Sequence, residues 1–438
     1  MRKSWQQESV NDKAVFMVTQ PRKSKRTTGH AIRLTSSGLY TILLMTSLTG
    51  LWGLSNRLFP NLYINDVVYA AVFVCSVAML LLLFFSKGIR PKIRFAGCCM
   101  LLAIVVFVEL CYTLISYDQS TFSTLKQASY YIAPVLVCLT YSCLIEREEE
   151  FEAIAKIVVV SAIAISAISL IAYYAIENGN NILGLSYTLR NGSPRFSIGG
   201  IVVTLGFLIS IYKVFSGERK IVHFIAICLI LAEVIVVTKT RTAAAYLILM
   251  IAVTPLLLYR NRHAGMNLLF AIVAMCLLGV LIINIGLPYL NNLTTSDAGV
   301  INRLYEIEFY MSEFMQTPVL GMGFLSASGP YAALVSGTSG TYYQSDVGYV
   351  GILNLFGLLG MAWVLYFYLK AGRNALKKNN MLGIVMLVYL VISSMNLSFL
   401  DYNKTILIPF VLLFCFAFKD EVKRSGPSVE DNSTITTA

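Results

Sequence analysis

Apolar runs of about 20 residues, separated by short polar segments, recur along most of this chain, and a run of that length spans a bilayer as a helix. Inside hydrocarbon the chain must satisfy its own backbone N–H and C=O groups, so repeated runs commit it to a bundle of helices. The runs lie at 37–55, 67–86, 95–116, 128–145, 157–176, 198–215, 221–237, 243–258, 266–287, 347–369, 381–400 and 405–418. Only Thr238 to Thr242 separates the seventh from the eighth. The expected fold is all-α: a polytopic membrane protein with about 12 transmembrane helices and one large external loop containing a short amphipathic helix.

Composition agrees. Hydrophobic residues make up 57% of the 438 and charged residues only 13%, far from a soluble domain's balance. A net charge of +11 could suit nucleic acid, but the bases form short clusters between the apolar runs. That is the pattern of membrane topology, and no nucleic-acid partner is expected. With both termini in the cytoplasm, 26 of the 34 Lys and Arg fall inside and eight outside, namely Arg57, Lys126, Arg190, Arg195, Lys239, Arg241, Arg303 and Lys404. The expected organisation is a cytoplasmic basic tail (1–36), helices one to nine (37–287), an external loop acting as an active-site cap (288–346), helices ten to twelve (347–418) and a cytoplasmic tail (419–438). A cleaved signal peptide would need its apolar stretch nearer Met1.

All nine cysteines fall inside apolar runs, so no disulfide framework is implied. His30, His223 and His263 lie on the cytoplasmic side of this topology, which denies an external site a histidine base. External carboxylates, among them Asp66, Asp118, Asp297, Glu306, Glu308, Asp346 and Asp401, are scattered, so no metal site and no cofactor are expected. Walker, HExxH and GxSxG sequences are absent. Lys213 reads as a residue snorkelling from the end of the sixth span.

The external loop reads partly as helix. Val300, Leu304, Ile307, Met311 and Phe314 recur at spacings of three and four and mark one apolar face, with Arg303, Glu306 and Glu313 off it. Pro318 ends the helix at Thr317. Gly321-Met322-Gly323 then turns, and the Ser-, Gly-, Thr- and Tyr-rich stretch to Gln344 reads as a mobile lid.

Three arginines stand at external membrane borders: Arg195 in Pro194-Arg195-Phe196-Ser197-Ile198-Gly199-Gly200, Arg241 in Thr240-Arg241-Thr242, and Arg303 at the start of the loop helix. A guanidinium stays charged and grips phosphate bidentately, so the set suits a lipid diphosphate. The bland alternative is anchoring of helix ends in ordinary headgroups.

The order of these features resembles the bacterial O-antigen polymerase/ligase family, on its polymerase side. The carrying motifs are Thr240-Arg241-Thr242 at the head of one span, Arg303 through Phe314 leading to Thr317-Pro318-Val319-Leu320-Gly321-Met322-Gly323, and Phe356-Gly357-Leu358-Leu359-Gly360 in a later span. Together they cover roughly 190–370. Family ligases carry a histidine near the end of the large loop; here that place holds Gln344-Ser345-Asp346.

The resemblance implies a multi-pass protein of the bacterial inner or plasma membrane. It would polymerise polyprenyl-diphosphate-linked oligosaccharide repeats into surface polysaccharide on the outer face. Its partners would be that lipid-linked oligosaccharide, membrane lipids and a chain-length regulator of the same pathway. The expected catalytic residues are Asp346, Arg303 and Arg241, with Arg195, Glu233 and Glu109 binding substrate. Asp346 stands where the ligases place histidine, and an outside carboxylate there can take the acceptor hydroxyl's proton. Ser345 and Asp346 are equally good helix N-caps. Glu109 and Glu233 lie within spans, where acids face the bundle interior or a wet cavity. The alternatives are ligase-type transfer to an acceptor, a peptidoglycan-type polymerase, and a transporter or flippase of a lipid-linked oligosaccharide. The sequence shows no internal repeat of the kind transporters carry.

Overall fold

A computed structural model describes residues 35–49, 64–87, 93–145, 147–190, 192–258, 298–401 and 404–416. The ninth expected run (266–287), nearly all of the amino-terminal tail and the whole of the carboxyl-terminal tail lie outside these residues.

The described chain is mostly helical. Its elements run α1 (Ser36–Leu48), α2 (Ile64–Lys87), α3 (Ile93–Ser116), α4 (Thr121–Leu144), α5 (Glu148–Glu177), β1 (Thr188–Arg190), β2 (Ser193–Arg195), α6 (Gly200–Ser216), α7 (Lys220–Glu233), a π-helical turn (Val234–Thr238), α8 (Arg241–Leu257), α9 (Ala298–Gln316), α10 (Ala332–Ser336), a 3-10 turn (Gln344–Val347), α11 (Gly348–Lys378), α12 (Met381–Ser393) and α13 (Leu407–Phe416). Among the described residues six stretches are long and apolar enough to cross a membrane: 66–86, 97–116, 121–144, 149–177, 220–238 and 344–378. Apolar helices of 10 to 17 residues accompany them.

Local signals explain several boundaries. Thr35, Ser120 and Asn380 cap α1, α4 and α12, each side-chain oxygen accepting a backbone N–H of the first turn. Short hydroxyl residues then join helices across the bundle. Tyr40 meets Ser76 at 2.7 Å, Thr41 meets Tyr141 at 3.0 Å and Tyr69 meets Thr405 at 2.8 Å. Among lipid-bathed helices such polar contacts and close packing take over from hydrophobic burial. Every residue of α13 is buried, whereas α2 exposes Leu81, Leu82, Phe84 and Phe85.

The structure departs from the sequence reading at several places. The strands β1 and β2 form an antiparallel hairpin pairing Thr188 with Arg195, an addition to the all-α expectation. Lys213 does not snorkel: its Nζ lies 2.9 Å from Glu152 and 2.6 Å from Glu218. The loop helix buries a different face from the one expected at its start: Leu304 is 62% exposed and Ile307 is also exposed, while Glu306 is 5% exposed and packs inward with Tyr310. Of the expected face Phe314 is buried and Met311 half-buried. The stretch after Gly323 makes hydrogen bonds to the bundle at three places. Phe324 N–H donates to Thr113 Oγ1 at 2.9 Å, Ser326 N–H to Gln119 Oε1 at 2.8 Å, and Tyr310 Oη to the Val335 carbonyl at 2.8 Å.

Candidate functional site

The site is organised by a break in α11. Gly357 has φ 59° and ψ −157°, a backbone region open essentially only to glycine. Such a break strands backbone groups that a continuous helix would pair, and these must find partners when buried. The turn after α9 supplies them. Met322 N–H donates to the Asn354 carbonyl at 2.7 Å and Gly323 N–H to Leu355 at 3.0 Å. In return Leu358 N–H donates to Pro318 at 2.9 Å and Leu359 N–H to Val319 at 3.1 Å. Two sequence motifs, Pro318–Gly323 and Phe356–Gly360, thus become one junction. The approach tolerates no side chain. A Cβ on Gly357 would stand 2.3 Å from the Val319 carbonyl oxygen, and one on Gly321 would stand 2.6 Å from that of Asn354. Tyr131, Phe324 and Phe356 pack their rings around it.

Asn354 carries the junction's order outward. It is fully buried, its Nδ2 donates to the Tyr310 carbonyl of α9 at 3.2 Å, and its Oδ1 accepts from Gln344. Ser398 N–H donates to the Ser345 carbonyl at 3.0 Å, fixing the 3-10 turn from its other side. The result holds the middle of α9 against Gln344–Val347.

Near that contact Arg303 and Asp346 come within electrostatic reach of Glu306. Arg303 and Glu306 lie one helical turn apart on α9, and Asp346 faces Glu306 from the 3-10 turn. The backbone N–H of Tyr343 points at the Glu306 carboxyl. Burial first, then the neighbouring Asp346 charge, push the Glu306 carboxyl up to about 7 against the weaker pull of Tyr343 and Arg303. Its Oε2 has no hydrogen-bond partner among the described residues. Asp66 and Asp401, by contrast, pair with Lys126 at 2.6 Å and Lys404 at 3.9 Å.

Asp346 does not cap α11. Val347 occupies the cap position, with no side-chain hydrogen bond to the first turn, and Asp346 Oδ1 accepts from Ser345 Oγ at 3.2 Å. The Asp346 carboxyl still stands in the first turn at the amino end, where an acid favours the helix dipole.

A second corner lies at the head of α8. The π turn ends at Thr238, Lys239 adopts a left-handed conformation with φ 50°, and α8 begins at Arg241. Arg195, leaving β2, donates Nε–H to the Thr238 carbonyl at 2.9 Å, so it braces the bend that presents Arg241. Single π turns inside helices gather at functional sites. Tyr246, about 8 Å further along α8 by helical rise, joins the corners: its hydroxyl bonds Asn396 and lies within electrostatic reach of Arg303.

Glu109 and Glu233 are placed apart from this cluster by their own elements. Glu109 is fully buried in α3, one turn from Thr113, the residue that receives Phe324 N–H beside the junction. Both its carboxyl oxygens lack partners among the described residues. Glu233 is 1% exposed, immediately before the π turn, with Oε2 unpartnered.

Sequence reasoning missed Glu306 as anything more than one of several scattered acids. The available signal was its place one turn after Arg303 and in register, at i+4 and i+8, with Tyr310 and Phe314. The geometry and the apolar helices define a class, a helical membrane protein with a polar cluster on the 298–347 segment. No protein-family model matches the sequence, and no curated protein matches it.

Proposed function

We propose that the protein polymerises polyprenyl-diphosphate-linked oligosaccharide repeat units into surface polysaccharide, as a bacterial inner-membrane glycosyltransferase. In this reading about 12 spans leave both termini in the cytoplasm and the 288–346 segment on the outer face. The 26-to-8 division of Lys and Arg supports that orientation.

The observation that supports the reading is that Arg303 and Asp346 both lie within electrostatic reach of the buried Glu306 carboxyl. A glycosyl transfer from a lipid diphosphate needs a cation where negative charge develops and a base where a hydroxyl loses its proton. The acceptor oxygen bonds to the anomeric carbon of the donor sugar. The bond from that carbon to the diphosphate oxygen breaks, and its electron pair leaves with the polyprenyl diphosphate. The hydroxyl proton passes to Asp346. Arg303 and Arg241 stabilise the charge growing on the leaving group, as fixed groups that need no reorganisation at the moment of reaction. Arg195 holds the bend carrying Arg241 and adds positive charge to the diphosphate's surroundings. Glu109 and Glu233 are buried acids available to polar groups of the substrate, and the scattered external carboxylates favour a mechanism without metal.

Complementation of a strain lacking the gene tests this. Arg303→Ala and Arg241→Ala should abolish polymer at unchanged membrane level, and the Lys variants should rescue poorly because a point charge lacks the bidentate fork. Full polymer from both Ala variants would rule the reading out.

A further inference from the structure

The geometry points to Glu306 as the working partner of Asp346: it binds the acceptor sugar through its unpaired Oε2 while Asp346 receives the hydroxyl proton. The inference rests on the polymerase reading and deepens it.

Glu306 is buried to 5% exposure and leaves Oε2 without a hydrogen-bond partner among the described residues, and unlike Glu109 and Glu233, which share that condition inside spans, it faces a second carboxyl and a guanidinium. A buried polar atom left unpaired costs free energy, and a ligand that pairs it recovers that cost. The groups around it are few: Arg303 on its own helix, Asp346 and the Tyr343 N–H from the facing turn, and the Tyr310 phenol. Burial pushes the Tyr310 phenol up, and its hydroxyl is already donated to Val335, so Tyr310 neither titrates nor competes.

Burial and the neighbouring Asp346 carboxyl both favour a proton on Glu306, since two like charges close together in a buried setting oppose each other. A neutral Glu306 donates Oε2–H to a sugar oxygen. Asp346 accepts the reacting proton and returns it to water after the new glycosidic bond has formed. No oxidant or further reactant is needed.

The account predicts that activity falls as pH rises through about 7, where Glu306 loses its proton. Glutamine keeps a neutral donor at that place. In reconstituted liposomes carrying a lipid-linked repeat unit, Glu306→Gln should keep most of the neutral-pH rate and lose the alkaline fall. Glu306→Ala should lose about 10- to 100-fold, the scale of a hydrogen bond to a buried group. A Glu306→Ala rate equal to wild type, or an alkaline fall unchanged in Glu306→Gln, would overturn the inference while the polymerase reading stood. Chain growth absent from the wild type would instead remove the polymerase reading and this inference with it. A substrate-free check is infrared spectroscopy of the purified protein. Buried Glu109 and Glu233 contribute protonated-carboxyl bands of their own, so the readout is the wild-type-minus-Glu306→Gln difference spectrum at mildly acidic pH: a carboxyl component missing from the variant is expected, and a spectrum with no such difference would also overturn the inference.

Discussion

The junction at Gly357 and the carboxyl cluster at Glu306 are built from the same two helices on opposite terms. At the junction four backbone groups beside the kink, the carbonyls of Asn354 and Leu355 and the N–H groups of Leu358 and Leu359, are paired by the Pro318–Gly323 turn. At the cluster Glu306 Oε2 is left unpaired, and α11 begins without a side-chain cap. Paired backbone groups make a rigid joint, while unsatisfied groups held rigidly make a place for a ligand. The comparison assigns the glycine motifs to positioning and the charged residues to binding and chemistry.

The largest effect should come from breaking the joint. Gly357→Ala puts a Cβ 2.3 Å from a carbonyl oxygen in a glycine-only conformation, and should cost about 3 kcal/mol or more. A lowered melting temperature in detergent, with polymer lost, is the expected result. Next, Arg303→Ala should lower polymer formation at least about 100-fold while leaving the melting temperature near wild type, since preorganised charge contributes on that scale. Asp346→Asn should reduce polymer by a similar factor at unchanged expression; normal polymer would return Asp346 to a structural role. A smaller effect concerns pH and stability. A carboxyl whose folded value is raised destabilises the fold once pH passes the ordinary carboxylate range, increasingly until about 7, and not below that range. Glu306→Gln should therefore raise the melting temperature above pH 7 and leave it unchanged near pH 4. Gly97→Ala is the smallest: a Cβ there meets nothing within 4 Å, so helix propensity alone predicts a gain of about 0.5–1 kcal/mol.

Much of the helical framework was legible in the sequence because hydrocarbon imposes one solution on the backbone. Apart from the run at 266–287, each expected run overlaps a described helix, even across the two-residue bend at Lys239 and Thr240. The motifs around Gly321 and Gly357 were visible separately. Their docking was not, because it consists of backbone bonds that leave no side-chain pattern. The inward face of α9 was read correctly at Phe314 and wrongly at Leu304 and Ile307, which face outward, while Glu306, counted among scattered acids, is buried near Arg303 and Asp346, both already singled out from the sequence. Hydrogen bonding of the 324–344 stretch to the bundle uses Thr113 and Gln119, which nothing in that stretch announces.

The most direct test of the central claim is chain growth by the purified protein in liposomes supplied only with a polyprenyl-diphosphate-linked repeat unit. The account predicts a ladder of longer lipid-linked products, one polyprenyl diphosphate released per linkage, and loss of the ladder in Arg303→Ala. Unextended substrate with correctly inserted wild-type protein, or an undiminished ladder from Arg303→Ala, would contradict it.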